Sequence, residues 1–333
     1  MFKIGLLDPS LWDNNGNYSP NTGDIIIYDA VIKVLDDVFK DYDLIRVSTH
    51  TNPDNKLLKK LSLSDIQIIG GTNLLSSNIE EYNQWKFERT FFSKVLYPVK
   101  NIITLGVGWW QYQQEPTDKT KKYYKSILNT HYAHSVRDSY TKDKLIAMGI
   151  NNVINTSCPT MWELFGRDVN KKSGNSKNCV FTLTDYNTSV ENDTNLIKLL
   201  IENFSEKLLF FAQGSKDIEY IKSLDIYKAN KDKFQFINSL TEYNKLLENG
   251  NITYIGTRLH AGARALQKEV DALVLQVDNR AKEITLDTNF PSIERNNLKL
   301  LQKWLNGDQI FSKMTIDTDN IKKWKEQFSQ YSL

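Results

Sequence analysis

Little in this sequence acts at a distance. Forty-two Lys and Arg face forty Asp and Glu, a formal net charge of +2, so no global field draws the chain to nucleic acid or to an anionic membrane. Only two cysteines occur, Cys158 and Cys179, without CxxC spacing, which argues against a disulfide framework and a cysteine-based zinc site. No stretch approaches the ~20 apolar residues of a membrane span. The opening MFKIGLLDPS has one Lys and too short an apolar run for a signal peptide. The expected compartment is the cytoplasm, with membrane contact peripheral at most.

What is present is the balance of a folded protein: 40% hydrophobic and 25% charged residues. Short apolar runs alternate with amphipathic segments. Phe2–Leu7, Leu44–Ser48, Asp65–Gly70, Asn101–Gly106, Ala133–Arg137 and Asn152–Asn155 read as strands, with helices expected over 24–39, 80–95, 118–130 and 139–148. Runs such as Ile66, Ile68, Ile69 and Ile102, Ile103, Leu105 have the look of buried parallel strands. Gly166–Asn178 is polar and turn-forming, and the rhythm then restarts. Strands are expected at 179–184, 208–213, 234–238, 252–256 and 272–277, with helices between them and two more near 295–305 and 318–330. The expectation is an α/β protein of two lobes, 1–170 and 178–333, each a mostly parallel sheet flanked by helices. The basic run Lys119–Lys125 reads as a solvated helix face.

In such sheets ligands gather at the carboxyl ends of the strands, so the polar residues there matter most. Asn21-Thr22-Gly23-Asp24 opens the first helix; a helix cap is the plain reading, a carboxylate for sugar hydroxyls the functional one. Gly70-Gly71-Thr72-Asn73 and Gly106-Val107-Gly108 follow strands and allow close backbone approach. Neither is a dinucleotide fingerprint. Trp109-Trp110 could stack on a sugar ring or simply pack. Arg137 ends an apolar strand, where a guanidinium must meet an anion, either Asp138 or a ligand. Gly256-Thr257-Arg258-Leu259-His260-Ala261 sets an Arg and a His at the start of a small-residue helix, a place that already favours anions. A lone histidine is more often a structural hydrogen-bond maker than a catalyst, and His50, His131 and His134 are read that way.

Taken together, NTGD (21–24), IIGGT (68–72), GVG (106–108), SVRD (135–138), SCPTMWEL (157–164) and GTRLHAGARAL (256–266) resemble the polysaccharide pyruvyl transferase family. The tail VDNRAKEI (277–284) resembles the segment carrying that family's Lys, here Lys282. The resemblance implies two Rossmann-like lobes in a GT-B-like arrangement, with no metal and no cofactor. Phosphoenolpyruvate would be the co-substrate, and the acceptor a surface-polysaccharide sugar, lipid-linked or nucleotide-linked, as in capsule or exopolysaccharide synthesis. It would be met in the cytoplasm, at the inner face of the membrane if lipid-linked. The resemblance gives donor binding to Arg137, Arg258, Leu259 and Lys282 and general-acid catalysis to His260. It gives an acceptor role to Asp24, and the acceptor cleft would hold Gly70, Gly71, Thr72, Asn73, Trp109 and Trp110. The chain departs from the pattern at Thr72, where a third glycine is common, and at Ser157-Cys158, where many members have an acidic residue.

The same architecture serves sugar-nucleotide-dependent glycosyltransferases, since fold does not fix function. A non-catalytic sugar-binding subunit is the alternative outside enzymology.

Overall fold

The continuous apolar runs become buried parallel strands. In the computed structural model, which describes residues 1–82, 84–87, 91–169 and 176–331, the chain divides into two compact units. One comprises Met1–Ser19, Asp24–Trp162 and Ile316–Leu333; the other comprises Pro20–Gly23 and Glu163–Thr315.

The first unit opens with β1 (Phe2–Asp8), α1 (Thr22–Val38), β2 (Tyr42–Ser48), α2 (Asn55–Ser62), β3 (Ile66–Gly70), α3 (Phe91–Leu96) and β4 (Ile102–Leu105). Then follow α4 (Asp118–Ile127), β5 (His134–Val136), α5 (Ser139–Ala147) and β6 (Val153–Asn155). The main sheet runs β2-β1-β3-β4, all parallel, and β5 pairs with β6. Leu6 sits opposite Ile68, and Ile68 opposite Ile103. All five residues of β3 are buried, because helices cover both faces of a parallel sheet.

The second unit holds β7 (Asn178–Thr182), α6 (Val190–Asn203), β8 (Leu208–Phe211), α7 (Asp217–Ser223), α8 (Asp225–Ala229), β9 (Phe234–Ile237) and α9 (Leu240–Glu248). It continues through β10 (Ile252–Gly256), α10 (Leu259–Gln267), β11 (Ala272–Gln276), α11 (Asn279–Thr288), β12 (Ser292–Glu294) and α12 (Leu298–Leu305). Its parallel sheet is ordered β12-β11-β10-β7-β8-β9. The direction of strand progression therefore reverses between β7 and β10. In the first unit it reverses between β1 and β3. Those crevices, at the carboxyl ends of the strands, are where open α/β sheets accept ligands.

The structure departs from the sequence expectations in several places, among them two helices that were not expected, α2 and α11. The last helix, α13 (Thr318–Glu326), belongs to the first unit, not the second. Trp324 and Phe328 are fully buried there among Ile4, Leu35 and Phe39, and Asn320 Nδ2 donates to Asn155 O at 3.1 Å. The expected helix over 80–95 falls partly on 83 and 88–90, outside the described residues; of the rest, 91–95 lie in α3. Ahead of it, tertiary bonds hold an irregular chain: Trp85 Nε1 donates to Leu74 O at 2.6 Å and Tyr82 hydroxyl to Asn73 O at 3.0 Å. The second sheet gains β12, whose Ser292-Ile293-Glu294 holds a single apolar residue and so shows no apolar run in sequence. The expected linker falls partly on 170–175, outside the described residues, and the passage between units comes earlier, at Trp162 and Glu163.

His134 has the structural role expected of it. β4 and β5 run side by side, joined through side chains: Thr104 Oγ1 donates to Ser135 O at 2.8 Å and Ser135 Oγ accepts from Gly106 N at 2.8 Å. The His134 ring completes the join. Its Nδ1 accepts from Thr104 N at 3.3 Å, which leaves Nε2 protonated and donating to Asn129 O at 2.8 Å. Burial disfavours the charged ring and brings its pKa down from 6.5 to about 4. The unfolded chain thus takes the proton first as pH falls. This contribution is complete above pH 6.5 and is lost progressively toward pH 4, amounting to about 3 kcal/mol in all. Urea unfolding of the wild type and His134→Gln at stepped pH should show the wild type losing stability more steeply across that window. Parallel curves would refute the assignment.

Candidate functional site

In the second unit, the sequence around β10 forces two strands into close contact. A Cβ on Gly256 would lie 2.3 Å from Thr182 Oγ1 and 2.6 Å from Thr182 N, so only glycine fits. Thr182 Oγ1 accepts from Arg258 N at 3.1 Å, Thr182 O accepts from Thr257 N at 3.1 Å, and the Thr184 and Thr257 hydroxyls meet at 2.7 Å. Arg258 then occupies the N-cap position of α10 and offers it no side-chain cap. Behind it, a Cβ on Gly262 would lie 2.4 Å from Val274 Cγ2, which is why this helix must be lined with small residues to lie on β11.

Arg258 is only 4% exposed, and a buried guanidinium requires paired charge. Nη2 donates to Asp185 Oδ1 at 3.0 Å and to Asp217 Oδ1, and Nε to Leu183 O at 3.3 Å. Asp217, fully buried, also accepts from Gln213 N, Gly214 N and Asp185 N. The guanidinium lies against Gly214, where a Cβ would come within 2.2 Å of Nη2. Nη1 has no partner among the described residues. His260 is 4% exposed, and Leu259 is buried beside it in the first turn of α10.

Tyr186, half exposed, links this corner to the next helix. The guanidinium carbons of Arg258 and Arg280 lie 5.1 and 5.5 Å from its ring centroid, and Arg280 donates to its hydroxyl. Asp278 caps α11 through Arg280 N at 3.0 Å and pairs with Arg280 Nε at 2.9 Å. Lys282 is exposed two residues further on and makes no hydrogen bond or ion pair among the described residues. The cation that the fold brings to Arg258 is thus Arg280, which the sequence reading missed. Its signal was the Asp278-Asn279-Arg280 turn directly after β11, at the strand end rather than along the helix.

The loop carrying Asp185 and Tyr186 is firmly held. Arg295 Nη2 reaches both oxygens of fully buried Asp193, at 2.7 and 2.6 Å, while its Nη1 donates to Asn187 O at 2.7 Å. The Tyr220 hydroxyl donates to Asp193 Oδ2 at 2.5 Å, and burial with that carboxylate beside it raises the phenol's pKa.

The first unit repeats the solution at β5. Arg137 is 1% exposed; Nε donates to Asp138 Oδ2 at 3.1 Å and Nη2 to Asn73 Oδ1. A Cβ on Gly108 would lie 2.2 Å from its Nε. Nη1 is buried without a hydrogen bond. Asp138 also caps α5, accepting from Thr141 N at 2.7 Å, so the ion-pair reading holds and the same carboxylate starts the next helix. The two glycine loops are laced together: Gly71 N donates to Leu105 O and Gly108 N to Thr72 O, each at 2.8 Å. Gly71 and Thr72 take positive φ, 69° and 50°. A Cβ on Gly71 would strike Ile27 Cγ2 at 2.1 Å, and one on Gly70 would meet Val31 and Leu6.

Trp109 is no sugar platform. It is fully buried, its Nε1 donating to Gln113 Oε1 at 3.0 Å. Trp110 stacks on Tyr82, centroids 4.2 Å apart. Asp24 is 7% exposed and accepts from Ser19 Oγ at 2.9 Å; the cap role falls on Asn21, whose Oδ1 accepts from Gly23 N at 3.1 Å. Asp8 was also missed. It ends β1, 1% exposed and paired with Arg46 at 2.7 Å, where Asp-Pro after an apolar strand was the available signal.

A profile of the polysaccharide pyruvyl transferase family matches residues 21–279. The chain belongs to this family. Among curated proteins, no sequence matches it. In fold, the chain is similar to the Methanocaldococcus jannaschii UDP-GlcNAc 2-epimerase in complex with UDP-GlcNAc and UDP. The TM-score is 0.55 at 12% identity, covering 99% of each chain. It is also similar to the S. aureus MnaA–UDP co-structure, with TM-score 0.56 at 14% identity over 100% of this chain and 93% of that one. These likenesses agree with two Rossmann-like units.

The Asp193–Arg295 pair yields a direct test. Asp193→Ala leaves a buried guanidinium unpaired and should cost ~3–5 kcal/mol in urea unfolding, with Asp193→Ala/Arg295→Met recovering much of it. A single-variant loss under about 1 kcal/mol would mean the pair behaves as a surface bridge.

Proposed function

We propose that this family member transfers the pyruvyl group of phosphoenolpyruvate to a sugar of a cell-surface polysaccharide or its precursor, forming a cyclic ketal and releasing phosphate. The observation that carries the reading is the opening of α10, where Arg258, Leu259 and His260 follow β10 at the strand-order reversal, with Arg280 against the same tyrosine. A small polyanion needs fixed cations and favours a helix N-terminus. Arg258, Arg280 and the opening of α10, which has no side-chain cap, supply them.

The chemistry follows from the donor. His260, as general acid, protonates the vinyl C3, leaving C2 electron-deficient. One sugar hydroxyl forms a C–O bond to C2, the C2–O bond to phosphate breaks, and a second hydroxyl closes the ring. Each hydroxyl gives up its proton, and Asp24 orients or deprotonates one of them. In the first unit, Arg137 Nη1 is the group available to an anionic oxygen, and the loop at Gly70, Gly71, Thr72 and Asn73 supports it. Lys282 contributes to donor binding only through a change of its exposed side chain's position.

Arg258→Ala is a poor probe, because it strands the buried Asp217 carboxylate. Arg280→Gln is better: it should raise KM for phosphoenolpyruvate about tenfold or more with a smaller change in kcat. His260→Ala should lower kcat by ~100-fold or more while donor binding persists in calorimetry. Phosphate release and ketal formation are followed with a panel of sugar acceptors. The second reading, a sugar-nucleotide-dependent glycosyltransferase, draws on the UDP in the two similar structures. Turnover of a nucleotide sugar, with no phosphate released from phosphoenolpyruvate by any acceptor, would replace the first reading with the second.

A further inference from the structure

Among the described residues no helix is long and apolar enough to cross a membrane, yet one face of the first unit exposes apolar side chains. On α3, Phe92 is 74% exposed, and Val95 and Leu96 are 63% exposed each. Leu63, which ends α2, is 64% exposed. The two helices pack on one another, and Ser62 and Ser64 share the wall of a cavity with Pro98 and Lys100. Leu63 therefore sits beside the exit of α3. Leu58, Leu61 and Val99 bury the opposite sides of these segments in the core, so the exposed set is not needed for folding.

Charge decides what this face meets. Lys56, Lys59, Lys60, Lys94 and Lys100 are all exposed, and none forms an ion pair among the described residues. No carboxylate occurs within 55–64 or 91–101; Asp54 and Asp65 stand at the margins beside Lys56, Lys60 and Lys100, and there they accept from Leu57 N and Lys3 N rather than pairing with these lysines. Elsewhere the surface lysines are often neutralised, as Lys119 is by Glu80 and Lys268 by Glu248. An apolar patch ringed by unpaired lysines suits an anionic lipid surface: the apolar side chains enter the headgroup boundary while the ammonium groups stay at phosphate level. A protein interface would be depleted of Lys, and a second copy of this face would bring like charges together.

We propose that the α2–α3 face is a peripheral membrane-binding surface that recognises anionic phospholipid. It holds this chain at a bilayer without crossing it, and it stands whether or not phosphoenolpyruvate is the donor. Sedimentation of the full chain with phosphatidylcholine vesicles, with and without phosphatidylglycerol, tests it. Binding should require phosphatidylglycerol, weaken with added salt, and fall about tenfold or more in Lys59→Glu/Lys60→Glu/Lys94→Glu. Phe92→Ser/Leu96→Ser should weaken it as well, with circular dichroism unchanged in both variants. Equal binding to neutral vesicles, or undiminished binding by the lysine variant, would overturn the proposal. So would a lack of vesicle binding combined with self-association that Phe92→Ser/Leu96→Ser abolishes, which would make the face an interface between copies.

Discussion

A guanidinium held out of water is the constraint around which each unit's strand ends are arranged. Arg258 and Arg137 are nearly inaccessible, and an uncompensated charge there would be prohibitive. Both sites answer with the same parts: a carboxylate within hydrogen-bond reach, a second polar side chain on Nη2, and a glycine where any Cβ would collide. The side edge of each arginine is thereby spent on the protein. Its remaining terminal nitrogen, Nη1, makes no hydrogen bond among the described residues, and in Arg137 it is also buried. The pairing on the other edge fixes the direction in which Nη1 points.

Rigidity reaches this corner from further away. The loop after β7 contributes Asp185 to Arg258 and presents Tyr186 to two guanidinium groups. Its far end is tied by Arg295, Asp193 and Tyr220. Burying an ion pair gains little stability over a well-packed apolar pair. Its use here is geometric: it holds an exposed tyrosine in register with α10 and α11. The cluster carries three carboxylates, Asp185, Asp217 and Asp278, against Arg258 and Arg280. Formal charge alone does not make it an anion site. An anion site here would rest on the orientation of Nη1 and on the first turn of α10, which has no side-chain cap, and both are local effects that composition cannot register.

That distinction explains what was legible in the sequence. Buried parallel strands such as β3 and β10 are continuous apolar runs, so the two sheets and the residues at their ends could be read directly. Arg137, Arg258 and His260 fall where that logic puts them. What could not be read depended on tertiary partners. Trp109 was as compatible with a sugar face as with the core until Gln113 and Thr141 were seen to hold it. α13 follows the second unit in sequence, but its Trp324, and Phe328 just after it, are buried in the core of the first. Lys282 and Arg280 are two residues apart, and only the turn set by Asp278 shows which one faces Tyr186.

The same reasoning applies to net charge. A total of +2 excludes long-range attraction to an anionic surface, because opposing charges cancel beyond about a Debye length of ~10 Å. It says nothing about a face where five lysines form no ion pair among the described residues and carboxylates, Asp54 and Asp65, stand only at the margins. Within that shorter range each lysine acts on its own, and the exposed Phe92, Val95 and Leu96 add a contact that salt does not screen. Near-neutrality overall also keeps such a face selective: away from it, paired charges such as Lys119 with Glu80 offer an anionic bilayer little net attraction. One orientation of the first unit on the surface is then favoured over the others.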